Sequence, residues 1–157
     1  MTDRWRHLSG SWIDDLDSSL EELVGDDEFL IHVGTDSKNR GSHTDFVTVV
    51  AILRPGRGAR VLYRSLRCKR MNALAQRLIQ EAQMSVETAL MLSERVVQEI
   101  VLHIDANPDE RHKSSRYARS LAGMGLGNGF EVRLKPDAWC ASSVADHVVK
   151  EKHLRVA

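Results

Sequence analysis

Two aspartates end apolar runs in this chain, Asp36 in "IHVGTD" and Asp105 in "VLHID". A strand period of two places His32, Gly34 and Asp36 on one face, and the same parity pairs His103 with Asp105. If the two runs are parallel neighbours, both carboxylates converge at the C-terminal rim of the sheet, where open α/β sheets bind ligands. Unpaired, they repel, and one is driven to keep a proton. A hard divalent cation removes that repulsion, and Mg²⁺ prefers a few carboxylate oxygens with retained water. Each Asp alone has a simpler reading as a turn cap, Asp36 before "SKNRG" and Asp105 before "ANP". Their matched position and parity favour the joint reading.

Further carboxylates are available. Glu81 lies on the border of a helical apolar stripe, nearly in line with Leu74 and Leu78. Glu87 and Glu94 point away from that stripe, and Glu99 lies at its far end. Asp146 in "SSVADHVVK" flanks the core face of a last helix and is the favoured carboxylate there; Asp137, after "LKP", competes with it but has an easy reading as a helix N-cap. His32 and His103 read as interior hydrogen-bonded residues rather than ligands. Trp139 reads as core, with base stacking as the rival use. Phosphate contacts would come from Lys38 and Arg40, from "NPDERHKSSR" with Lys113, and from Arg133 and Lys135. "GMGLGNG" follows a helix and precedes a strand, the wrong order for a phosphate loop, and Asn128 within it reads as a turn residue with positive φ.

The elements that must position these groups follow from periodicity. Trp5, Leu8, Trp12, Ile13, Leu16, Leu20, Leu23 and Val24 suit one or two amphipathic helices, with Ser18–Glu21 or Ser19–Glu22 as capping boxes and Gly25 as a stop. "FLIHVGTD", "DFVTVVAIL" and "RVLYRSLR" read as three strands with short connections, an antiparallel meander whose third member is nearer an edge. A long helix is predicted from about Met71 to Ile100. A strand over "IVLHIDANP", a helix near "SSRYARSLAGMG", a strand over "GFEVRLKP" and a helix from about Ala138 complete the chain. The expected architecture is α/β. Its five-stranded mixed sheet has three antiparallel strands, then two parallel βα units, with helices on both faces. Residues 1–28 form an N-terminal helical segment and 29–157 the main domain.

The 157 residues fit one domain with a real core. Twenty-two basic residues balance 22 acidic ones, which gives no global pull toward nucleic acid but leaves room for a local basic groove. Cys68 and Cys140 have no zinc-ligand spacing, and a reduced, cytoplasmic setting is expected. No apolar run is long enough for a bilayer, and the first residues lack the pattern of a secretory signal.

In type and order these residues resemble the ribonuclease H-like superfamily, and "VGTDS", "HIDANP", "GNGFEVRLKP" and "ASSVADH" are similar to its bacterial YkuK-like family. The resemblance covers about residues 30–153. It implies Asp36, Glu81, Asp105 and Asp146 as catalytic and metal-binding residues, Mg²⁺ or Mn²⁺ as cofactor, and a nuclease acting on RNA, DNA or their hybrid. In such sites two divalent ions about 4 Å apart straddle the scissile phosphate, with Asp36 as the bridging ligand and Lys38, Lys113 and Lys135 as substrate contacts. The basic, aromatic-bearing protrusion of hybrid-cutting relatives has no counterpart insertion here. The rival reading is a catalytically inactive module of the same fold that binds nucleic acid or serves in assembly. A relative of the actin-like ATPases, suggested by "GTDS", would need a longer chain. The N-terminal Trp-bearing helices suit a homodimer contact as well as a cover for the sheet.

Overall fold

In a computed structural model, residues 4–24, 29–54, 56 and 58–142 are described. In chain order they form β1 (Arg6–His7), α1 (Leu16–Val24), β2 (Ile31–Arg40), β3 (His43–Arg54), β4 (Gly58–Lys69), α2 (Leu74–Ser93), β5 (Ile100–Ile104), α3 (Ser115–Gly127) and β6 (Glu131–Leu134). The strands make one mixed sheet in the order β1-β4-β3-β2-β5-β6. β2, β3 and β4 pair antiparallel, whereas β2–β5 and β5–β6 pair parallel. β2 therefore joins the meander to the βα units. Val47 to Ile52 of β3 are all buried, as their nearly continuous apolarity requires, with the Thr48 hydroxyl bonded to Thr35.

The sheet has six strands, not five. Where helix was expected near Trp5, Arg6 and His7 instead pair with Tyr63 and Leu62 of β4. The chain then folds back so that Arg6 bridges Trp12. This ribbon satisfies part of an otherwise open β4 edge and buries Trp5 and Ile13. Helix begins only at Leu16, and Asp15 caps it: its carboxylate accepts the Asp17 and Ser18 backbone N–H groups at 3.1 and 3.3 Å. Neither serine capping box forms the start.

α2 is shorter than the predicted span and ends at Ser93. Residues 94–99 instead carry the chain across to β5, with Arg95 held by Asp17 at 2.6 Å.

Leu20 and Val24 of α1 and Val86, Ala89 and Leu92 of α2 share one cluster with Ile31, Val33 and Leu102. Leu78 and Ala82 of α2 meet Ala118 and Leu121 of α3 over Ile104. The three described helices thus cover one face of the sheet. Gly125 allows α3 to sit on it: a Cβ there would lie 2.5 Å from Val132 Cγ2. Asn128 has φ −95° rather than a positive value; its side chain caps the Met124 carbonyl at 2.7 Å, and Gly129 takes the left-handed conformation at φ 86°. On the opposite face, Cys140 and Trp139 pack on Val47, Val49, Ala51 and Tyr63. Both cysteines are free, and burial pushes the Cys140 thiol up to about 12. No helix among the described residues is long and apolar enough to cross a membrane.

Candidate metal centre

The β2–β5 ladder runs from Ile31↔Ile100 to Gly34↔His103. Asp36 and Asp105 each lie two residues beyond its last pair, so the parallel register sets them side by side. Glu81 arrives from the helix layer. It lies seven residues into α2, about 10 Å from the helix start, while β2 continues four residues past Asp36, about 13 Å. Because α2 begins beside the tip of the extended strands and runs back under the sheet, those two depths match. β5 stops at Ile104, just before Asp105, and Glu81 meets the two aspartates there from the helix layer.

A carboxylate oxygen from each of Asp36, Glu81 and Asp105 lies within 4.8 Å of the others. The aspartates are half-buried and Glu81 is only 6% exposed. Ser37 Oγ donates to Glu81 Oε1 at 2.5 Å. Glu81 Oε2 is buried and has no hydrogen-bond partner among the described residues. Burial pushes the Glu81 carboxyl up to about 8; the Ser37 hydrogen bond opposes this, the charges of Asp36 and Asp105 reinforce it, and Arg77 opposes it weakly. Three hard oxygen donors, one of them an unsatisfied buried atom, suit a divalent cation of the Mg²⁺ or Mn²⁺ type. A Lys is also present: Lys135 Nζ lies 2.5 Å from Asp105 Oδ1, and this contact raises its pKa.

The site is braced from below and above. On the helix side, Thr35 Oγ1 meets Thr48 Oγ1 at 3.0 Å and Ser85 Oγ at 2.8 Å, a buried hydroxyl chain between β3 and α2. On the opposite face, His32 Nδ1 and His103 Nε2 are 2.8 Å apart, and the Trp139 backbone N–H donates to His103 Nδ1 at 3.1 Å. The Trp139 ring centroid lies 4.8 Å from each imidazole, so Trp139 is packed against the sheet. Burial above all holds both histidines below their ordinary value, His103 at about 4. Gly34 permits this approach, since a Cβ there would lie 3.0 Å from Ala141 Cβ and 3.1 Å from its nitrogen.

Of the residues singled out from sequence, Asp36, Glu81 and Asp105 come together. Asp146 lies outside the described residues. Asp137 is exposed in the turn after β6 and outside the cluster. Lys38 and Lys113 are exposed, whereas Lys135 is engaged with Asp105. Sequence reasoning missed Ser37 as the donor that orients Glu81. The alternation of β2 carries that signal, because residue 37 must face the helix layer that Asp36 does not.

A family model described as ribonuclease H-like matches residues 16–150 of the chain. Among solved structures, the chain is similar to RNase H1 from the halophilic archaeon Halobacterium salinarum NRC-1, with 15% identity and a TM-score of 0.44, covering 80% of this chain and 99% of that one. No curated protein matches the chain.

Proposed function

The chain belongs to the ribonuclease H-like family, and from that premise we propose that it is a divalent-metal-dependent nuclease hydrolysing phosphodiester bonds. The observation that carries this reading is the meeting of Asp36, Glu81 and Asp105 around one point, with the buried Glu81 Oε2 lacking a partner. These three residues, with Asp146, would hold Mg²⁺ or Mn²⁺. When bound, such an ion supplies an acidified water and charge neutralisation at phosphate oxygens. Ser37 fixes one Glu81 oxygen and so aims the other. Lys38, Lys113 and Lys135 contact substrate phosphate, and the YkuK-like motifs suggest a cytoplasmic bacterial enzyme of that branch.

Calorimetry with Mn²⁺ tests the site directly. Saturable binding that weakens at least ten-fold in Asp36→Asn and in Asp105→Asn supports it; binding unchanged by both substitutions rejects it. A panel of single-strand, duplex, hybrid and junction substrates then reads activity, which must vanish in Asp105→Asn.

One observation favours the second reading, an inactive nucleic-acid-binding module. The Lys135 ammonium already supplies positive charge at Asp105. Nucleic-acid binding without saturable Mn²⁺ binding would select that reading.

A further inference from the structure

Beyond the carboxylates the three central strands continue together. Cross-strand partners share a face, and the register gives three successive rows on the face of Asp36: Asp36–Val47–Ser65, then Lys38–Asp45–Arg67, then Arg40–His43–Lys69. Rows two residues apart are separated by about 7 Å. Positive charge therefore extends outward from Asp36 across all three strands. On that face Lys38, Arg40, Arg67 and Lys69 stand against one acidic residue, Asp45, in a chain whose formal charge is zero. Asp45 organises the tip rather than neutralising it: its carboxylate takes Arg67 at 2.6 and 3.0 Å and Arg40 at 3.7 Å. Beneath, Thr44 Oγ1 donates to Asn39 Oδ1 and accepts the Met71 N–H, while Asn39 Nδ2 donates to the Met71 carbonyl. Those bonds lock the tip to the β4–α2 connection.

Proteins that hold single strands do so by stacking bases on aromatic rings. Neither basic stretch, 37–45 or 64–71, contains a Phe, Tyr or Trp, and the one ring they hold is the His43 imidazole. What the tip offers is a rigid array of cations suited to sugar–phosphate backbone, whose bases stay paired.

We infer that the tip of β2–β3–β4, through Lys38, Arg40, Arg67 and Lys69, is the docking surface for the backbone of a double-stranded nucleic acid, set so that the bound strand passes Asp36. The last clause rests on the nuclease reading; the docking surface does not.

The test is fluorescence anisotropy in EDTA, where no cleavage occurs, with a labelled 20-base-pair DNA duplex, the matching RNA–DNA hybrid and a single strand of equal length. The unmodified protein is compared with the double variant Lys38→Gln/Lys69→Gln, and with Arg119→Gln at an exposed position of α3. The wild type should bind a duplex form more tightly than the single strand. The double variant should lose roughly ten-fold in affinity and flatten the plot of log K against log salt by about 1.8, two contacts at about 0.9 each for B-form DNA, while Arg119→Gln changes neither. An unchanged affinity and slope in the double variant, equal losses in Arg119→Gln, tighter binding of the single strand, or no wild-type binding would each overturn the inference. Duplex binding lost in the double variant alongside absent Mn²⁺ binding would leave the docking surface standing and remove the nuclease reading alone.

Discussion

Lys135 Nζ and Asp105 Oδ1 are 2.5 Å apart, so an ammonium group engages a carboxylate that the metal reading assigns to a divalent ion. The pair is part-exposed, which limits its worth to about 1 kcal/mol. The two cations must compete. Lys135→Met is expected to tighten Mn²⁺ binding by roughly five-fold, the equivalent of that energy, and to slow cleavage if the displaced ammonium serves the phosphate. Calorimetry reads the first effect without reference to activity, and weaker Mn²⁺ binding in Lys135→Met would remove the competition.

Glu81 makes metal binding a proton-linked event. With its carboxyl at about 8, the side chain is mostly protonated at pH 7, and a cation takes up only the ionised form. Mn²⁺ binding at pH 7 should therefore release close to one proton. Titrations in two buffers of different ionisation enthalpy would measure it. Affinity should rise with pH up to about 8 and then level. Binding with no proton release would show that Glu81 is not a ligand.

The same group and the buried histidines shape stability in opposite directions. The Glu81 carboxyl is raised above its unfolded value, so its contribution is full below about 4.5 and is lost as pH rises through about 8. His103 is depressed, so its contribution is full above about 6.5 and is lost as pH falls toward about 4. Between about 6.5 and 8 only the Glu81 loss operates. In EDTA, denaturant melts should show stability falling across that window, and Glu81→Gln should flatten the fall. A wild type already flat there would contradict the assigned shift.

Hydrogen-bond direction fixes the imidazole tautomers. His103 Nδ1 accepts the Trp139 N–H, so its proton sits on Nε2 and is donated to His32 Nδ1, leaving the His32 proton on Nε2 as well. Nitrogen NMR at pH 7 should show both rings neutral in the Nε2–H form. His103→Leu would strand His32 Nδ1 and the Trp139 N–H and is expected to cost about 2–3 kcal/mol, with a shifted Trp emission as the segment at 139–142 loosens. A His103 protonated on Nδ1 would refute the chain.

Gly34→Ala sets a methyl group against the Ala141 backbone rather than against a movable side-chain end. A loss of about 1–3 kcal/mol in thermal unfolding is expected. An unchanged melting temperature would show that the segment at 139–142 can retreat freely.

Much of this site was legible in the sequence because it depends on short periods. Two-residue alternation and the stop of an apolar run mark Asp36 and Asp105, and the 3.6-residue stripe of α2 singles out Glu81 as the helix carboxylate nearest the sheet. What was not legible depends on contacts between distant segments. Lys135 reads as one more surface base until β6 is laid beside β5. The two residues of β1 are too few to carry any period, and only the open edge of β4 makes them a strand. The length of β2 was underread because Lys38 and Arg40 look like turn residues until β3 is paired with them along their whole run. Asp15 displaced the predicted serine caps because it lies one step ahead of the apolar helix face and offers two oxygens to the first turn.

Asp36 and Ser37 are consecutive on one strand and work from opposite sides of it, the first toward the exposed rim and the second toward α2 and Glu81. Removing a single residue between Ile31 and Asp36 would exchange those aspects, turning the serine hydroxyl outward and driving the carboxylate inward against another carboxylate. That six-residue run can therefore change its letters through descent far more readily than its count.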